Sequence, residues 1–181
     1  MIDEILRYNE EFVTKEGYKP FVTSKYPDKK IAIVTCMDTR LVTLLPAALG
    51  IKNGDVKMIK NAGGVINDPF DSTVRSILVA IYELGVTEIM IIGHTECGVC
   101  GMNAGEMIHL MEKRGIRKET VEIVKNCGID LEKWFRGFDD SQQSVRDSVK
   151  LVRNHPFIPE DVSVKGFIMD SVTGKLTPVD D

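Results

Sequence analysis

The chain has 181 residues, which suits one domain with a sizeable core and scarcely leaves room for two. Hydrophobic residues make up 43% and charged residues 28%, close to the averages for soluble globular proteins. The formal net charge is −4 and the basic residues are dispersed, which excludes the concentrated basic footprint of a nucleic-acid binder.

The opening stretch MIDEILRYNEEF is acidic and amphipathic, with no basic segment leading into an apolar run, so it does not read as a secretory leader. Ile2, Ile5, Leu6, Tyr8 and Phe12 recur at a helical period and predict a helix over 2–15. GYKP (17–20) breaks it, and the chain up to Pro27 reads as a connecting arm. Residues 1–28 are thus expected to be a helix and arm, and 29–181 a single domain. IAIVT (31–35) is a short, apolar, β-branched run, the pattern of a strand buried on both faces. LVTLLPAALG (41–50) is helical in period and ends at Gly50, with Pro46 implying a short or kinked helix. DVKMIK (55–60) reads as a second strand and NAGG (61–64) as a loop.

Within DPFDSTVRSILVAIYELG (68–85) lies the clearest helix, capped by Asp71 or Ser72 and closed by Gly85. TEIMIIGH (87–94) is another buried strand, followed by a Gly-rich turn into a helix near 98–113. Residues 117–153 are mostly helical, with joints at Cys127–Gly128 and 137–140. VSVKGFIMDSVTGKLTPV (162–179) reads as two strands joined by a turn at Thr173–Gly174. The longest apolar stretch, around IMIIG, is far too short to span a bilayer. The expectation is a cytoplasmic α/β protein with no membrane partner: a mostly parallel sheet of four to five strands flanked by helices, with an N-terminal helical arm.

The four cysteines (36, 97, 100 and 127) are then reduced thiols, available for packing or for metal. GHTECGVC (93–100) spaces His94, Cys97 and Cys100 three residues apart. It can be a closed metal knot, a redox CxxC pair, or part of an open catalytic site. Sites in open parallel sheets form beyond the carboxyl ends of strands. Cys36 directly follows one strand and His94 ends another, so neighbouring strands would bring the two groups together. Cys36, His94 and Cys97 would make a Cys₂His zinc set with an open fourth position, and a helix starting near Cys97 would favour its thiolate. Asp38 and Arg40 follow at two-residue steps. An aspartate held by an arginine stays ionised and accepts a hydrogen bond from water on the metal.

Cys36-Met37-Asp38-Thr39-Arg40 followed by His94-Thr95-Glu96-Cys97, with NAGG between them, resembles the β-class carbonic anhydrases, in particular their short prokaryotic members. The likeness runs from about residue 30 to the C-terminus. It implies reversible hydration of carbon dioxide to bicarbonate, with zinc on Cys36, His94 and Cys97. Asp38 and Arg40 would be the catalytic dyad orienting a zinc-bound hydroxide. It also implies a homodimer or higher assembly embraced by the N-terminal helix. In some relatives the matching aspartate moves onto the zinc and closes the site. Thr39 stands where serine is usual and keeps the hydroxyl, and the glutamine that longer members place beside substrate has no evident equivalent. On the same fold, hydrolysis of carbonyl sulfide or carbon disulfide is the enzymatic alternative. A noncatalytic zinc or thiol-redox module that recruits Cys100 is the alternative of another class.

Other residues have plainer readings. Cys100 is expected to be a buried helix thiol, packed as a small hydrophobe. Cys127 is expected to be inert, His109 a surface or packing residue on a helix, and His155 the mark of a helix end before Pro156. NAGG carries no phosphate-binding pattern, so no nucleotide is expected.

Overall fold

The computed structural model describes residues 1–180. Five strands form one sheet: β1 (Ile31–Cys36), β2 (Val56–Asn61), β3 (Glu88–His94), β4 (Ser163–Met169) and β5 (Leu176–Val179). Their order is β2-β1-β3-β4-β5, with the first four parallel and β5 antiparallel to β4. The central strands are those the sequence marks as unbroken apolar runs. Ala32, Ile33 and Val34 of β1 and Ile91 and Ile92 of β3 are fully buried, each isoleucine contributing roughly 1.5–3 kcal/mol by leaving water.

Side chains alternate between the two faces, as the pleat requires. On one face Ala32, Val34, Ile89, Ile91 and Val164 pack against helices α3 (Ser72–Tyr82) and α7 (Ser141–Arg153). On the other, Ile33, Ile92 and Met169 pack against Leu41 and Leu45 of α2 (Leu41–Ala48), and this second cluster includes Cys36 and Cys97. Pro46 sits inside α2, a helix of only 8 residues. Asp71 caps α3, accepting from the Val74 N–H at 2.7 Å, and Gly85 follows the helix with φ +72°. Asp140 caps α7 through the N–H groups of Gln142 and Gln143. Gly93 lets α7 lie close to the sheet, since a Cβ there would stand 2.8 Å from Val145 Cγ2.

One expected helix begins later than its apolar spacing suggests. Residues 95–103 form turns, and α4 runs from Ala104 to Lys113 with Asn103 as its cap. Gly101 takes φ +76° there, a conformation that interrupts a helix. Beyond it come α5 (Lys118–Asn126) and the one-turn α6 (Leu131–Trp134), with a joint at Cys127–Gly128 as expected and a second over 135–140, two residues wider than the expected 137–140. Helix α1 (Ile2–Thr14) buries none of its residues. Among the described residues no helix is long and apolar enough to cross a membrane.

From β1 the chain passes to β2 on one side, then returns to β3 on the other. The order therefore reverses between β1 and β3, and the crevice beyond their carboxyl ends is where ligands bind in such sheets. β1 ends at Cys36 and β3 at His94.

Candidate metal centre

The β1–β3 register pairs Thr35 with Ile92, so continuing it sets Cys36 beside Gly93, one residue before His94. Cys97 reaches the same place through the turn after β3. Glu96 makes that turn in the left-handed region, at φ +53°, a strained conformation for a residue with a side chain. Donor atoms of Cys36, His94 and Cys97, all buried, lie within 4.8 Å of one another, and no other such group occurs among the described residues.

The donor geometry fits a zinc ion. Two Zn–S bonds of about 2.3 Å at a tetrahedral angle place their sulfurs about 3.8 Å apart, and Cys36 Sγ and Cys97 Sγ stand 3.8 Å apart. His94 Nδ1 donates to the Thr95 carbonyl at 2.9 Å, which leaves the lone pair on Nε2. Nε2 is buried with no hydrogen-bond partner among the described residues. A buried polar atom so placed is costly unless something coordinates it.

Electrostatics agree. Burial pushes the Cys36 thiol up, but the His94 imidazole and the N–H groups of Asp38 and Gly63 outweigh it and lower its pKa to about 7. Burial pushes Cys97 up to about 11, and the neighbouring Cys36 adds to that rise. Burial also disfavours charge on His94, yet the adjacent Cys36 sulfur raises its pKa. The buried pocket thus favours one thiolate at Cys36 and disfavours a second at Cys97, which a dication would offset. The helix-terminus help anticipated for Cys97 is absent, because α4 starts at Ala104 behind two glycines, Gly98 and Gly101.

Cys100 departs from expectation in another way. It is exposed, in a turn rather than a helix, with Sγ 3.6 Å from the Asp139 carbonyl. It is not a member of the three-donor group. Cys127 is also an exposed free thiol. His109 is exposed on α4, whereas His155 is buried, with Nε2 2.9 Å from the Pro69 carbonyl and Nδ1 accepting from the Phe157 N–H. His155 therefore holds the end of α7 to the loop before α3.

Asp38 stands at the edge of the donor group, its Oδ2 3.9 Å from His94 Nε2. Arg40 grips it with Nε to Oδ1 at 3.1 Å, Nη2 to Oδ2 at 2.9 Å and its backbone N–H to Oδ1 at 2.8 Å. The Arg40 side chain, then that N–H, holds the carboxyl down to about 2. The NAGG loop closes the other side. Asn61 clasps it, donating to the Val65 carbonyl and accepting from the Val65 N–H. Gly64, at φ +65°, lies so close to β1 that a Cβ would stand 2.8 Å from the Cys36 nitrogen. Val99 and Phe138, which face Gly63 of the loop, pack against the apolar cluster that includes the two cysteines. Motif spacing does not single out Glu96 and Ser171, which bond Arg40, or Thr95, which bonds Ser171; nothing local marks contacts across 56, 76 and 131 residues.

A sequence profile described as carbonic anhydrase matches residues 31–176. The Bacillus subtilis protein YtiB, provisionally named a carbonic anhydrase, is 47% identical over 176 residues, covering 97% of this chain and 94% of its own length. A carbon disulfide hydrolase of Acidithiobacillus thiooxidans is 31% identical over 160 residues, covering 83% of this chain and 77% of its own length. The crystal structure of a β-carbonic anhydrase from Trichomonas vaginalis superposes with a TM-score of 0.89 at 38% identity, over 100% of this chain and 98% of the other.

Proposed function

The chain belongs to the β-carbonic anhydrase family, and on that premise we propose that it catalyses reversible hydration of carbon dioxide to bicarbonate at zinc held by Cys36, His94 and Cys97. The observation that carries this reading is the three-donor group with an ionised, arginine-held aspartate at its edge. Zinc, when bound, supplies a Lewis acid that acidifies a coordinated water for attack at neutral pH. Cys36, His94 and Cys97 would hold the ion with three donors and so would leave room for water beside it.

The chain's own residues then have distinct tasks. Asp38 is the catalytic hydrogen-bond acceptor that aims the attacking water at the carbon of carbon dioxide. With a pKa of about 2 it is too weak a base to keep the proton near neutral pH. The proton released with bicarbonate therefore passes on to solvent or buffer. Arg40 occupies both Asp38 oxygens and keeps the carboxylate off the metal position. Val99 and Phe138 offer an apolar surface suited to a small unhydrated substrate.

Residues 1–28 serve, on this reading, as an assembly arm for a homodimer or higher oligomer, supported by the exposed Ile2, Ile5, Leu6, Tyr8 and Val13 of α1. Free thiols suit a cytoplasmic location. Likeness to the carbon disulfide hydrolase favours a second reading, hydrolysis of carbon disulfide or carbonyl sulfide in the same pocket.

Stopped-flow hydration assays on protein of measured zinc content, near pH 7 and near pH 9, test the proposal. Turnover in the wild type, and an Asp38→Ala variant with full zinc but activity down about 10²-fold or more, is the expected pair of results. Activity surviving Asp38→Ala removes its catalytic role. Sulfide release from carbon disulfide without carbon dioxide hydration selects the second reading. Zinc without turnover of either substrate selects a noncatalytic module.

A further inference from the structure

Arg40 has more partners than gripping Asp38 requires. A guanidinium carries five N–H donors in a fixed fork, and each finds an acceptor here. Nε and one N–H of Nη2 face Asp38. The other N–H of Nη2 donates to the Glu96 carbonyl at 2.9 Å, and Nη1 donates to Glu96 Oε2 at 3.3 Å and Ser171 Oγ at 3.2 Å.

Asp38 and Arg40 lie on one irregular segment after β1, so their mutual pairing fixes only their relative geometry. Left to themselves they could swing as a unit, and Asp38 Oδ2 is already 3.9 Å from His94 Nε2. The outer bonds of Arg40 tie the pair to the sheet. These anchors differ in quality. The Glu96 carboxylate is 77% exposed, and an ion pair so wet contributes little. Ser171 is 4% exposed. Its backbone N–H donates to Thr95 Oγ1 at 3.0 Å, and the two hydroxyl oxygens stand 3.1 Å apart. Ser171 Oγ accepts from the cation, and either hydroxyl can donate to the other, so the pair forms a short chain that ends on Arg40. Thr95 in turn continues the β3–β4 ladder, its N–H donating to the Met169 carbonyl at 3.0 Å.

We propose that Ser171, backed by Thr95, is a positioning residue: it anchors the far side of the Arg40 guanidinium so that the near side holds Asp38 in its working orientation and off the metal. The role rests on the reading of the site given above. It makes the orientation of Asp38 a product of three strand ends, β1, β3 and β4, rather than of the CMDTR segment alone.

The test compares Ser171→Ala with wild type in zinc-loaded and cobalt(II)-loaded protein. Ser171→Ala is expected to keep its metal content and melting temperature, to lose about tenfold in kcat with KM little changed, and to show an altered cobalt visible spectrum as Asp38 gains reach of the metal. Ser171→Thr, which keeps the hydroxyl, restores both. On an Asp38→Asn background Ser171→Ala removes no further activity, since the two act as one unit. Wild-type kcat and spectrum in Ser171→Ala overturn the proposal, as does the same tenfold loss repeated on the Asp38→Asn background. Should Ser171→Ala fail to fold, Thr95→Val keeps the side-chain shape without the hydroxyl, and an unchanged cobalt spectrum there overturns the proposal equally. The spectrum does not depend on turnover. An inactive wild type with the spectral shift therefore refutes the proposed reaction and supports the positioning role.

Discussion

Gly64 shows how closely one residue can be held to a position. Its φ of +65° disfavours any side chain, and a Cβ would press on the backbone of Thr35 and Cys36 at 2.8–2.9 Å. Backbone atoms in a central strand cannot step aside as a flexible side chain can. Gly64→Ala is therefore expected to cost more than about 1–2 kcal/mol from the left-handed conformation alone, with the clash added. Because the atom met most closely is the Cys36 nitrogen, zinc affinity should fall with stability. Urea unfolding of the metal-free protein and a zinc competition titration check the two effects separately; wild-type zinc affinity in a destabilised variant would detach the loop from the site. Asp38 and Arg40 were legible as a pair from their spacing. Ser171 was not, because a contact across 131 residues leaves no local trace.

Capping illustrates the element scale. Asp71 ends an extended segment and accepts the Val74 N–H, satisfying one of the donors that a helix start leaves open. The first turn of α3 also holds the NAGG loop, since Asn61 Nδ2 donates to Thr73 Oγ1 at 3.0 Å. Asp71→Ala should lower stability by about 1 kcal/mol, read as a shift in the urea midpoint, with one zinc per chain retained. Strands β1 and β3 were evident as unbroken apolar runs, and α3 from its period and cap. Helix α4 starts later than the apolar spacing over 98–113 indicates, because that spacing ignores where the backbone can turn. Gly98, Gly101 and the Asn103 cap move the helix onward to Ala104. That shift leaves Cys97 in a turn without a helix dipole, and Cys100 on the surface instead of in the core.

For the molecule as a whole, the unpartnered element is α1. It buries no residue, yet Ile2, Ile5, Leu6 and Val13 are apolar and more than half exposed. An apolar helix face in water is stabilised by covering it, and a second copy of the chain is the proposed cover. Removing residues 1–28 should convert an oligomer to monomers in sedimentation velocity. A truncated protein that sediments as the same oligomer would move the assembly interface elsewhere.

What the sequence determined by itself was whatever is written locally: buried strands by β-branched apolar runs, helix ends by caps and glycines, the donor types by Cys36, His94 and Cys97, and a carboxylate–guanidinium pair by Asp38 and Arg40. It also placed Cys36 and His94 at strand ends, from which a shared site could be inferred. Only the tertiary structure decided that β1 and β3 are neighbours at the point where strand order reverses, which brings three donors within 4.8 Å. It alone settled that Cys100 stands outside that group and that Ser171 reaches Arg40. Short-range periodicity and capping act within a few residues of the chain. Convergence at a site depends on strand order, register and turn geometry, which arise from packing of the whole sheet.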